Sequence, residues 1–268
     1  MRAFDYHRPK SVKEAVSLLR KIENAKLLAG GQSLIPSLKL RLSGPPALVD
    51  LGAIEEMRGI KLEGGTLTIS ALSTHAEVAT SKDVALGIPA LARLAEGIGD
   101  RQVRNQGTIG GALAHNDPAA DYPAAVLGLG ATINTNKRAI AADKFFRGTF
   151  ATALKAGEII TSVTFPLPKR AAYVKFRQPA SRFAMVGVFV SEGAGNVRVA
   201  VTGAGGCVFR AKTMEKRLTE NFTPDAVARV KIAPDELNAD IHASAEYRAH
   251  LIGVLAQRAV EAALAGKP

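Results

Sequence analysis

Leu27-Leu28-Ala29-Gly30-Gly31-Gln32-Ser33-Leu34 restricts what this chain can fold into more than any other stretch. Apolar residues close a strand read from Lys26 to Ala29, and two glycines stand where the backbone must turn. Glycine lacks a Cβ, so its N–H can approach a charged group closely and its φ can be positive. Successive N–H groups in such a turn form a concavity that holds anions. A strand ending in Gly-Gly is more often only a turn, so the stretch alone names no ligand. Its companion is Arg104-Asn105-Gln106-Gly107-Thr108-Ile109-Gly110-Gly111, where a hydroxyl and closely spaced glycines precede Ala112-Leu113-Ala114 at the mouth of a helix. That is the chemistry of a diphosphate cradle. Two such loops suit a ligand with two phosphates better than one.

Around the first loop the chain reads as a compact strand–turn–helix–strand unit. Ser11-Val12-Lys13-Glu14 is a capping box opening a helix to about Ile22. A short helix spans Leu34–Leu42, and a second strand runs from Ala47 to Leu51. Glu63-Gly64-Gly65-Thr66 then turns a hairpin between strands at 60–62 and 67–70, and Thr74-His75-Ala76-Glu77 is another capping box. Pro89–Ile98 reads as a helix ended by Gly99, and the polar run 100–106 precedes the second loop. Tyr122–Leu129 follows as a helix, then Ala131–Thr135 and Glu158–Phe165 as strands. Pro166-Leu167-Pro168-Lys169-Arg170 marks a boundary. Beyond it lie strands at 172–177, 184–191 and 197–202, the last two joined at Gly193-Ala194-Gly195-Asn196. Helices at about 211–219 and 224–230 and a long one from Ala245 to Ala265 complete the chain, with Gly266 as C-cap.

Absences narrow the function. No G-x-x-x-x-G-K-[ST] is present, which disfavours a P-loop nucleotidase. Gly97-Ile98-Gly99 begins like a Rossmann fingerprint, but Gln102 replaces the third glycine and a helix, not a strand, precedes it. Gly31-Gln32-Ser33-Leu34-Ile35 lacks the closing glycine of a nucleophile elbow. His115, Asp117 and Asp121 are irregularly spaced around Pro118 and do not read as a metal trio. The charge of +11 could serve nucleic acid, an acidic partner or an anionic cofactor. The basic residues are scattered, however, and with no tryptophan a base-stacking platform lacks material. Cys207 is the sole cysteine, so the chain can hold neither a disulfide framework nor an iron–sulfur cluster. Neither a signal peptide nor a membrane span is evident, and a cytoplasmic location is the expectation.

The two glycine motifs at this separation resemble those of the FAD-binding medium subunits of molybdenum hydroxylases, with the carbon monoxide dehydrogenase type the nearest pattern and xanthine dehydrogenase in the same family. Lys39-Leu40-Arg41-Leu42, Val49-Asp50-Leu51, Asp117-Pro118-Ala119-Ala120-Asp121 and Ala243-Ser244-Ala245-Glu246-Tyr247-Arg248 extend the resemblance over nearly the whole chain. It implies an α+β protein: a PCMH-type FAD-binding fold of two α/β subdomains, 1–55 and 56–167, followed by a C-terminal domain of three antiparallel strands with a helical bundle, 168–268. By the same resemblance, Ala29, Gly30, Gly31, Gln32 and Ser33, with Thr108, Ile109, Gly110 and Gly111, hold the diphosphate and ribityl chain of a non-covalent FAD. Leu34 falls beside the isoalloxazine ring, Asp121 accepts a hydrogen bond from ribose or ribityl hydroxyls, and Ile160 packs on the adenine.

The partners so implied are a large molybdenum-cofactor subunit and a small iron–sulfur subunit, in a dimer of heterotrimers. Electrons would pass from those clusters through FAD to an external acceptor, with no general acid or base in this chain. Two residues depart from the pattern. Gln32 stands where carbon monoxide dehydrogenase has His, which weakens the case for carbon monoxide as substrate. Met185 stands where xanthine dehydrogenases keep a Lys near the flavin, which leaves redox tuning and the acceptor open. A stand-alone FAD oxidoreductase on the same fold is the alternative.

Overall fold

The computed structural model describes residues 1–266 and contains three main sheets in succession. The first is parallel and three-stranded. It is built from β1 (Asp5–His7), α1 (Val12–Lys21), β2 (Lys26–Leu28), α2 (Leu34–Lys39) and β3 (Ala47–Asp50), in the strand order β1-β3-β2. Ala47, Leu48 and Val49 are fully buried, as a central parallel strand requires. The polar strand β1 has no apolar alternation and escapes a pattern-based reading; pairing Tyr6 with Leu48 makes it a strand. The Ser11 hydroxyl accepts from the Glu14 N–H as expected, but the Glu14 carboxylate takes the N–H of Lys10 rather than that of Ser11.

The second sheet is antiparallel. The hairpin β4 (Ile60–Glu63) and β5 (Thr66–Ser70) turns at Gly64 and Gly65, both with positive φ. Six helices follow: α3 (His75–Thr80), α4 (Lys82–Gly87), α5 (Pro89–Glu96), α6 (Arg101–Gln106), α7 (Ile109–His115) and α8 (Tyr122–Gly128). The chain returns through β6 (Thr132–Thr135), β7 (Ala139–Ala141), the small ribbon β8 (Phe146–Gly148) and β9 (Ala151–Thr152), and β10 (Ile160–Pro166), giving the order β4-β5-β10-β6-β7. Val163 lies between Ile69 and Ile133 in the middle of this sheet. The Thr74–Glu77 capping box forms reciprocally. The polar run 100–106, given no element from the sequence, contains α6, started by the Asp100 carboxylate accepting from the Val103 N–H at 2.8 Å.

The last unit holds β11 (Arg170–Arg177), β12 (Ala184–Glu192), β13 (Val197–Thr202) and a two-residue strand β14 (Phe209–Arg210), which adds to the three expected. Helices α9 (Lys212–Glu220), α10 (Pro224–Ala228) and α11 (Ala245–Leu264) complete it. Strand β12 is buried on both faces. Val186, Val188 and Val190 join Ile252, Leu255 and Ala256 of α11 in one core, while Phe189 joins the core of the preceding units. That is why its sequence is a continuous apolar run. An ideal Cβ on Gly128 would come within 2.8 Å of the Phe189 ring, so the glycine lets α8 lie directly on this sheet.

Candidate functional site

The two glycine loops meet main chain to main chain. An ideal Cβ on Gly30 would lie 2.1 Å from the Gln106 carbonyl oxygen and 2.7 Å from the Gly107 Cα. Only glycine allows that approach. Gly31 has φ +71°, and its neighbours Ile35 and Leu28 leave little space for a side chain. The N–H groups of Gly30, Gly31, Gln32 and Ser33 donate to no acceptor among the described residues, although the segment is neither strand nor helix interior. The carbonyls of Gly31 and Ser33 are used instead, accepting from Ile35 and Ser37. The Gln32 amide nitrogen braces the loop by donating to the Gly30 carbonyl at 3.3 Å. Four successive unpaired N–H donors on a partly exposed turn are what an anionic ligand requires.

The second loop is wired differently, and the expectation that it also offers free N–H groups is corrected. Ile109 donates to the Ser73 carbonyl, Gly110 to the Ala71 carbonyl and Gly111 to the Thr108 hydroxyl. A Cβ on Gly110 would meet the Ala71 Cβ at 2.6 Å and its carbonyl oxygen at 2.7 Å, so this glycine serves helix packing. Gly111 is half-buried, and a Cβ there would lie 3.7 Å from the Ala29 Cβ, which again puts the two loops side by side. Behind them, the His75 N–H donates to the Gly107 carbonyl, and a Cβ on Gly107 would reach the His75 Nε2 at 2.5 Å. Burial, reinforced by the Arg104 charge, lowers the His75 pKa to about 4, so the imidazole is neutral beside the loop.

Asp121 is enclosed. Its carboxylate accepts from the Tyr173 hydroxyl at 2.6 Å and from the Lys175 ammonium at 3.0 Å, and both side chains come from β11. Burial raises its pKa against the opposing pull of Lys175. The tyrosine reaches it because residue 187 is glycine; a Cβ there would lie 2.3 Å from the Tyr173 hydroxyl. In this structure the carboxylate thus ties α8 to the last sheet, a role the sequence reading did not assign. Tyr173 and Lys175 share one face of a strand, and that spacing was the available signal.

Leu34 opens α2, half-buried, next to the first loop. Ile160 is buried at the start of β10 opposite Thr135, within the core. Met185 lines a cavity of about 430 Å³ with Asp117, Ala119, Phe183 and Arg248, and its carbonyl accepts from the Arg248 guanidinium. Asp117 caps the Ala119 N–H, and no cluster of metal-binding side chains exists among the described residues. Asn116, unremarked in the sequence, holds a left-handed turn at φ 48° by donating to the carbonyls of Gly148 and Ala151.

Comparison with known proteins agrees with this geometry. Residues 2–168 match the family model described as the FAD binding domain in molybdopterin dehydrogenase. The chain is 37% identical to the carbon monoxide dehydrogenase medium chain of Hydrogenophaga pseudoflava, over 98% of this chain and 97% of that one. It is 34% identical to the nicotine 6-hydroxylase medium subunit of Paenarthrobacter nicotinovorans, over 96% of each. Among solved structures, reconstituted carbon monoxide dehydrogenase from Oligotropha carboxidovorans superposes with a TM-score of 0.91 at 34% identity, covering 98% of each chain. The chain belongs to the FAD-binding medium subunits of the molybdenum hydroxylase family, the flavoprotein component of an oxidoreductase of the carbon monoxide dehydrogenase and xanthine dehydrogenase type.

Proposed function

We propose that this chain relays electrons from the iron–sulfur clusters of a small partner subunit, through its FAD, to an external acceptor, while a large partner subunit carries the molybdenum site. The observation that carries the reading is the row of unpaired N–H groups at Gly30, Gly31, Gln32 and Ser33 where two glycine loops touch. These donors would hold the FAD diphosphate, with Ala29 and Thr108 to Gly111 as the opposing wall and Leu34 against the ring. Asp121 retains lone pairs beyond those used by Tyr173 and Lys175, the capacity a ribose or ribityl hydroxyl would use. By the family resemblance Ile160 would stand behind the adenine, although its side chain is buried in the core here. FAD, when bound, supplies the redox chemistry; the chain binds it, orients it and excludes water around it.

Support for partners comes from the relatives, which are named as medium chains or subunits, and from the single Cys207, which leaves clusters to another chain. We take 1–55 and 56–167 as the FAD-binding subdomains and 168–268 as the C-terminal domain, the assembly as a dimer of heterotrimers, and its location as cytoplasmic. No helix among the described residues is long and apolar enough to cross a membrane. Affinity purification of this chain, tagged and expressed in its source cells, tests the reading. Flavin absorbance together with co-purifying large and cysteine-rich small chains is the expected result. A flavoprotein that purifies alone and oxidises a substrate unaided would favour the stand-alone alternative.

A further inference from the structure

A second concavity, of about 600 Å³, opens between α5, the segment 97–104 and β11. Arg93, Arg104, Lys175, Arg177 and Arg182 line it, with Glu96 the one carboxylate on its wall. None of the four guanidiniums has a carboxylate within salt-bridge distance among the described residues; Lys175 alone is paired, with Asp121. Arg104 donates to the Ile98 and Gly99 carbonyls and Arg182 to the Gly99 carbonyl, contacts that fix both side chains and leave further N–H donors unused. Five cations set against the carboxylates of Glu96 and Asp121 leave a surplus of three positive charges around one cavity. Like charges that line one cavity without carboxylate partners raise its positive potential and favour an anion there.

We propose that this cavity binds a small molecule through a diphosphate or oligophosphate group, at a site separate from the Gly30–Gly107 loops. A surplus of three charges matches a pyrophosphate group better than a single carboxylate, and guanidinium forks pair with phosphate oxygens two at a time. The volume accommodates a nucleotide-sized molecule, and Leu94, Tyr173 and Val174 are among the uncharged residues of its wall.

Inorganic pyrophosphate is the probe, titrated calorimetrically into the full chain after saturation with FAD, which fills the glycine loops first. Arg93→Gln combined with Arg177→Gln is the variant. Expected are saturable binding by the parent protein, weakening as salt is raised, and a loss of at least about tenfold in affinity in the double variant with flavin content unchanged. Equal affinity in parent and variant would overturn the proposal, as would absence of binding in the parent. A folded variant that loses its flavin would also overturn it, by making the cavity part of the FAD site. Should the parent chain carry no flavin, the electron-relay reading fails, while the same titration on the flavin-free protein still decides the pyrophosphate site.

Discussion

Gly31 and Gly110 look alike in sequence and do different work. At Gly31 a side chain is strained by φ +71° on a turn whose N–H groups are unpaired. Gly31→Val is expected to fold with a stability loss of about 1–2 kcal/mol and to lose most of its bound flavin, measured as the flavin-to-protein absorbance ratio. At Gly110 the Cβ would strike Ala71, so Gly110→Val is expected to fail in the core, with a loss of about 3 kcal/mol or more by urea unfolding. The need for close backbone approach was legible from both motifs; that the second loop's N–H groups are spent on Ser73, Ala71 and Thr108 was not, because their acceptors lie more than thirty residues away in two cases. His75 was equally hidden, since a histidine in a capping box gives no sign of burial. Its pKa, about 4 in the fold against the ordinary 6.5, means the unfolded chain binds the proton first as pH falls. Stability is therefore full above pH 6.5 and declines between there and about 4, by up to roughly 3 kcal/mol for this residue. Urea unfolding at pH 7.5 and pH 5 should show a smaller drop in His75→Gln than in the parent.

Strand β11 joins the site to the last unit through Tyr173 and Lys175 on Asp121. A buried pair costs most when half of it is removed. Lys175→Met is expected to destabilise by about 3–5 kcal/mol, and adding Asp121→Asn to restore part of the loss, a non-additivity that denaturation of the single and double variants would reveal. If the double variant is as unstable as the sum of the singles, the pair is not coupled as drawn. The strands of this sheet were readable from apolar runs broken by Gly193-Ala194-Gly195-Asn196, since β12 is buried on both faces. The two-residue strand β14 and the polar strand β1 were not, because each exists only through pairing with a distant partner.

For the whole molecule, the distribution of charge and thiols points outward. A net charge of +11 favours acidic partners and anionic ligands, and one cysteine is too few to ligate an iron–sulfur cluster within this chain. Co-expression with the large and small chains is expected to protect it; the complex should unfold at higher temperature than the isolated chain, by calorimetry at matched flavin occupancy. An unchanged midpoint would argue against a stable heterotrimer.

The contact of Gly30 with Gln106 and Gly107 has one more implication. Where peptide groups abut with no side chain between them, the gauge of the cleft is machined into the backbone and no rotamer can reset it. Substitutions around the joint can change what lines the cleft, while its width stays set by main chain alone.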